Sequence, residues 1–224
     1  MRANVPFRLF RLFRLFGLLG VLATLGCGKG KPLRNLDLDV VRVTEARLRT
    51  DTVGDGKFAS IATFVLVDAD NTGTQGAYVT LGGELESADK AKVGELKAQS
   101  LWIPPGGSRT FALVDGEHQA RPSAAAAKIK VFGALVPESP PKAHVEDLRE
   151  VEDYGKTVVQ GTLVNEADRP GQVMVIASFH DVDGKPMTRP FTLLEVEPKT
   201  RQPLQFVGPQ GSKHGTIFVG DAIF

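Results

Sequence analysis

Residues 173–179, Val173-Met174-Val175-Ile176-Ala177-Ser178-Phe179, decide the fold. The odd positions, Val173, Val175, Ala177 and Phe179, form one face of a strand. Side chains that alternate with a period of two belong to an extended chain, whereas a helical stripe repeats every 3.6 residues. The preceding stretch alternates in the same way through Val159, Gly161, Leu163 and Asn165. Downstream, Asp183-Gly184 is a hairpin signal, because glycine adopts the left-handed conformation the turn needs. Pro186, Pro190 and Pro203 exclude long helices from this half. Alternating strands punctuated by turn signals predict antiparallel β-sandwiches.

The same grammar occurs twice, over residues 57–134 and 156–222. Each copy opens with an apolar strand, 58–67 and 157–164. A polar turn around an asparagine follows, Asp70-Asn71-Thr72-Gly73 and Asn165-Glu166-Ala167-Asp168. A second strand comes next, 77–85 and 172–179. Later segments end at a proline, Leu101-Trp102-Ile103-Pro104 and Leu194-Glu195-Val196-Glu197-Pro198. Asn71 and Asn165, like Pro104 and Pro198, stand 94 positions apart. Fixed landmarks of this kind mark a duplicated unit. An alternating segment, 36–43, precedes the first copy, and residues 144–154 are its less regular counterpart before the second.

Helical pattern is scarce. Residues 87–98 read as a short helix, supported by Glu86 and Lys90 at i,i+4 spacing and weakened by Gly94. Residues 123–127, Ser123 and four alanines, read as one helical turn. Between the copies, Pro137-Glu138-Ser139-Pro140-Pro141-Lys142 is a semi-rigid connector. The expected organisation is therefore all-β. Domain 1 spans residues 36–136, a Pro-rich linker spans 137–143, and domain 2 spans 144–224.

The second copy carries a resemblance. Gly161-Thr162-Leu163-Val164-Asn165, the strand 173–177 and Phe179-His180-Asp181-Val182-Asp183-Gly184, with Pro198 and Phe206 beyond, resemble the FxLYD-type and related immunoglobulin-like domains of bacterial envelope proteins. The resemblance spans residues 158–206. In the first copy Gly82-Gly83-Glu84-Leu85 replaces the aromatic-Asp strand end. The resemblance implies two tandem immunoglobulin-like sandwich domains in an extracytoplasmic setting, with no shared catalytic activity.

The N-terminus reads as an address. Residues 1–26 contain Arg2, Arg8, Arg11 and Arg14 and no acidic residue, and end in an apolar stretch, 15–26. A basic segment followed by a short apolar one is the layout of a secretory signal. As a helix those twelve residues would span about 18 Å, short of the roughly 30 Å of a bilayer core. The only cysteine, Cys27, follows directly. Leu22-Ala23-Thr24-Leu25-Gly26-Cys27 resembles the lipobox of bacterial lipoproteins, with Gly26 in the small position before the cysteine. Thr24 and Leu25 depart from that pattern's usual leucine and small residue. The resemblance implies a signal peptide over 1–26 and a lipid, including palmitate-type chains, on Cys27. Two or three acyl chains hold a protein on a membrane almost irreversibly. Gly28 after the cysteine implies the outer membrane where the source has one. Residues 27–35 then form a polar tether, and its last eight residues reach at most about 28 Å.

Removal of residues 1–26 leaves 198 residues and moves the net charge from +1 to −3. No basic excess remains for nucleic acid or for anionic lipid. One cysteine excludes a disulfide framework and a Cys-rich zinc site.

Candidate chemistry is sparse. His180-Asp181-Val182-Asp183 gathers ligand-type side chains, but on a strand His180 points away from Asp181 and Asp183, as a turn with an Asx cap requires. Asp51, Gly54, Asp55 and Gly56 read as a solvated turn. His118, His144 and His214 form no HxH or HxxxH pair. Ser212 and His214 flank a Gly-rich turn with no acid beside them, and Ser108 lies in another such turn. No G-x-S-x-G, Walker or dinucleotide motif occurs. Trp102 reads as a core residue at a strand end. The expected protein is a non-enzymatic envelope lipoprotein acting as an interaction or assembly module. It is anchored at Cys27, has no metal or cofactor, and engages an envelope protein partner. The alternative is a small-ligand-binding or metal-binding lipoprotein.

Overall fold

The computed structural model describes residues 34–54 and 56–224; Cys27, the expected signal segment and the start of the expected tether lie outside them. The described residues are all-β, with two short 3-10 turns at Leu38–Val40 and Gly56–Phe58. The first half contains β1 (Arg34–Asn35), β2 (Val41–Val43), β3 (Arg47–Val53), β4 (Ser60–Asn71), β5 (Ala77–Glu86), β6 (Lys92–Ile103), β7 (Ser108–Val114) and β8 (Ala126–Val136). The second contains β9 (Ala143–Asp153), β10 (Lys156–Asn165), β11 (Gly171–His180), β12 (Pro186–Thr188), β13 (Phe191–Val196), β14 (Arg201–Gln210) and β15 (His214–Ile223).

Every pairing is antiparallel. In the first half β4 lies between β7 and the broken edge β2/β3, while β5 lies between β6 and β8. In the second half β10 lies between β9 and β14, while β11 lies between β15 and the broken edge β12/β13. Both halves thus share one order: first strand on second, second on fifth, third between fourth and sixth. This is the immunoglobulin-like arrangement of A-B-E facing C′-C-F. No strand pairing joins the two halves among the described residues.

The cores follow from alternation. In the second half Val173, Val175, Ala177 and Phe179 of β11 are fully buried against Val159, Leu163, Leu204 and Ile217. In the first half Val65 and Val67 of β4 meet Val79 and Leu81 of β5, with Leu101, Ile103, Phe111 and Leu113. Beyond the exposed Gln172, the even face of β11 is covered. Ile176, together with Phe218 of β15, belongs to the core of the first half, and Met174 packs beside it. The sandwiches therefore share an apolar seam.

Several expectations give way. Residues 87–98 are not helical. Ser87 to Ala91 close a hairpin, with Lys90 N–H donating to Ser87 O at 2.9 Å, and β6 follows. Lys97 and Ala98 of β6 bulge opposite Gly82, so Leu96 and then Leu101 and Ile103 all reach the core. That change of phase imitates a helical spacing. Residues 123–127 form no helical turn. Ala126 and Ala127 already pair with Glu86 and Leu85, because ladder hydrogen bonds outweigh a weak helix propensity. Arg34 and Asn35 pair with Val136 and Leu135, so the end of the expected tether is part of a sheet.

Candidate functional site at the junction of the sandwiches

The polar contacts of the junction gather on the outer face of β4 and β7. Asp68 of β4 and His180 at the end of β11 meet at 3.0 Å, Oδ2 to Nε2. Thr110 of β7 donates its hydroxyl to the other Asp68 oxygen. Asp68 and Thr110 lie opposite each other in the β4–β7 ladder, which brings both side chains to one face. Arg47 of β3 donates to Asp181 Oδ2 and to Pro186 O, both at 3.3 Å. Lys185 lies 3.6 Å from Glu45. Arg189 donates its Nε–H to Thr110 O at 2.7 Å.

The His180-to-Asp183 stretch is thereby divided. His180 serves the junction. Asp181 caps the turn, its Oδ1 accepting from the N–H groups of Asp183 and Lys185 at 3.1 and 2.9 Å. These bonds outweigh burial and, with Arg47, hold the Asp181 carboxyl below its usual range. Among the described residues no three His, Cys, Asp or Glu side chains gather as a metal site.

One groove of this junction has a volume of about 400 Å³. Tyr78, Trp102, Pro104 and Arg109 line it from the first half, and Ala143 to Val145, Leu148, Phe218 and Asp221 from the second. Tyr78 and Trp102 are neighbours in the β5–β6 ladder, their ring centroids 5.5 Å apart. Trp102 is half-buried on the outer face and lies across Gly76, rather than in the core. Burial, aided by Asp221, raises the Tyr78 hydroxyl above its ordinary pKa, so it stays protonated. The Arg109 guanidinium stacks over Phe218 at 4.8 Å, a cation–π contact. Burial pushes its pKa down to about 10, and it remains charged at neutral pH.

Three buried polar atoms have no hydrogen-bond partner among the described residues: Arg109 Nε, Ser178 Oγ and Arg189 Nη2. Ser178 is on the even face of β11 with Ile176 and His180, so all three belong to the junction. Buried donors are almost always satisfied, and their concentration at one seam distinguishes it from the rest of the molecule.

The other sequence candidates are structural. Ser212 is fully buried. Its Oγ accepts from Thr157 N–H at 2.9 Å and donates to Pro209 O at 2.8 Å, which leaves no role for His214. His214 is exposed beside Glu150. His144 bonds Glu146 at 3.0 Å. Asp51 lies in β3 and accepts from Thr52 N–H, and Ser108 bonds Ala69 O at 3.5 Å. Asp55 and Cys27 lie outside the described residues.

Sequence reasoning passed over Asp68, Arg109, Arg189 and Phe218. The available signal was Arg189 between Thr188 and Pro190 in an apolar hairpin, and Arg109 next to a strand of core residues. No protein-family model matches this chain, and no curated protein sequence matches it.

Proposed function

We propose that the chain is a non-enzymatic, lipid-anchored interaction module of the bacterial cell envelope, acylated at Cys27, with the junction groove as its recognition surface. The groove carries the reading. Aromatic side chains, an apolar wall and the Arg109 guanidinium converge there. Recognition sites have that composition, a largely apolar wall with few oriented polar groups. The lining contains no serine, threonine or cysteine.

The position of β1 supports a membrane-proximal placement. With Arg34 and Asn35 held against β8, six residues, 28–33, separate Cys27 from the first strand. They reach at most about 21 Å. An anchor at Cys27 therefore keeps the β1–β8 edge beside the bilayer, in the outer membrane of a diderm cell by the reading of Gly28. The kinship of the second half with FxLYD-type domains, resting on residues 161–165 and 179–184, belongs to the same proposal.

The volume of the groove favours a second reading, in which it takes a small ligand. Two measurements test these readings. Cys27→Ser should abolish the acyl mass and release the protein from the membrane fraction; unchanged fractionation overturns the anchor. A photo-crosslinker replacing Tyr78 should form an envelope-protein adduct that Trp102→Ala abolishes. An adduct indifferent to Trp102 overturns the groove as the recognition surface.

A further inference from the structure

A second and larger cleft, of about 850 Å³, opens where β3 of the first half faces β12 and β13 of the second. Its wall is mixed: the apolar part is Phe64 and Leu66 on one side and Met174, Met187, Phe191 and Leu193 on the other, with Thr52, Gln99, Thr188 and Thr192 among them. Phe191 and Leu193 are about half exposed, at 53% and 51%. Both methionines of the chain beyond Met1 are in this lining. Methionine side chains are flexible and adapt to irregular apolar shapes.

The charged groups of the lining are two arginines, Arg49 and Arg189, and one carboxylate, Asp51. Arg189 is the more deeply set of the two. Its Nε–H is used by Thr110 O, while Nη2 has neither solvent nor partner. Neither Arg49 nor Arg189 has a carboxylate within 4.0 Å among the described residues. A buried cation without a counter-charge is costly, and an anion placed against it recovers that cost. Burial lowers the pKa of Arg189 to about 10, so it is still a cation at neutral pH. Burial and the neighbouring Arg47 lower that of Arg49, against the opposing effect of Asp51.

We propose that this cleft binds a single-chain amphiphile with a carboxylate-type head, the head seated on Arg189 and Arg49 and the apolar chain lying between Phe64, Leu66 and the Met174–Met187–Phe191–Leu193 wall. The cleft size falls within the range of small-ligand sites. Charge complementarity selects an anionic head, and the apolar part of the wall selects a chain-bearing ligand over a free anion. The cleft shares no lining residue with the aromatic groove, and its chemistry does not depend on the anchor.

The test is calorimetric titration of the full chain carrying Cys27→Ser, which removes the anchor chemistry without touching the cleft. The probes are sodium dodecanoate below its micelle concentration, dodecanol and inorganic phosphate. The expected result is one saturable dodecanoate site, with dodecanol weaker by about tenfold and no heat from phosphate. Arg189→Gln should weaken dodecanoate at least about tenfold. Arg49→Gln, on an edge strand, should weaken it in the same direction and keeps the test decisive if Arg189→Gln fails to fold. Absence of saturable binding overturns the proposal, as does equal affinity in wild type and both variants. Phosphate binding as tight as dodecanoate also overturns it. Tighter binding of a peptide with an apolar C-terminal residue would reassign the cleft to a protein terminus.

Discussion

Asn71 and Asn165 occupy the same place in the two sandwiches and have two side-chain bonds in common. Asn71 donates Nδ2–H to Ile103 O at 3.2 Å, and Asn165 donates to Glu197 O at 2.8 Å. Each acceptor is 32 residues further on and precedes a proline. Each Oδ1 accepts the N–H two residues later, from Gly73 at 3.0 Å and Ala167 at 2.9 Å. Both side chains are 1% exposed. A buried amide satisfied at both ends ties a strand turn to the segment that returns to it, and its recurrence at an offset of 94 residues is the physical signature of the duplication.

Removing either amide should be severe. Asn71→Ala or Asn165→Ala leaves a carbonyl and an N–H buried without partners, which destabilises by about 2–3 kcal/mol. Asn165→Asp should be worse at neutral pH, because it places an acceptor against the Glu197 carbonyl. Urea unfolding measures both, and a change below about 0.5 kcal/mol, the scale of ordinary surface substitutions, would overturn the assignment.

Trp102 reports on its own support. A Cβ at Gly76 would collide with the Trp102 ring, so Gly76→Ala must displace it. Trp102 is the only tryptophan, and the fluorescence emission should shift to the red. Gly106→Ala is the control. Its φ of +64° strains any side chain, yet nothing lies within 4 Å of the added carbon. It should cost about 1 kcal/mol and leave the emission unchanged.

The shared seam makes the halves unfold together. Phe218 is buried in the first-half core although it belongs to β15. Phe218→Ala should destabilise by about 3–5 kcal/mol and remove the surface on which Arg109 stacks. Wild type is expected to give one denaturant transition. In Phe218→Ala two should separate, seen as two steps in the circular dichroism signal, which reads both halves.

Acid should act through Asp115. It is fully buried, and accepts from Arg121 Nε at 2.9 Å and Nη2 at 3.2 Å and from the N–H groups of Glu117 and Gln119. Burial alone would raise its pKa, but these bonds prevail and hold the folded value below the ordinary 3.8. A depressed folded pKa means that the stabilisation is present above about 3.8 and is lost as pH falls through the lower folded value. Arg121→Gln should therefore raise the midpoint of acid unfolding. An unchanged midpoint would show that the pair has no part in the acid limb.

Much of the sheet grammar was legible from local pattern. The odd face of β11, the Asp183-Gly184 turn and the paired asparagines were readable because each depends on a two-residue period or on one residue's own geometry. Misreadings arose where a bulge changed the phase. Lys97 and Ala98 in β6 move Leu96 and Leu101 to the same side, and periodicity by itself cannot distinguish this from a helical turn. The Arg47–Val53 strand was missed because its alternation is carried by arginine and threonine, whose burial depends on what covers them.

The sequence by itself determined two alternating β units, their turns and their common asparagine landmarks. It also placed a cysteine directly after the apolar stretch 15–26. Only the tertiary structure decided that Met174, Ile176 and Phe218 face the other sandwich instead of water. It alone brought Asp68 to His180 across 112 positions and left Arg109 Nε and Arg189 Nη2 buried without a hydrogen-bond partner among the described residues. The reason is physical. Alternation specifies which side chains share a face of a strand. What meets that face depends on how two finished sheets stack, and that is set by contacts distant in sequence.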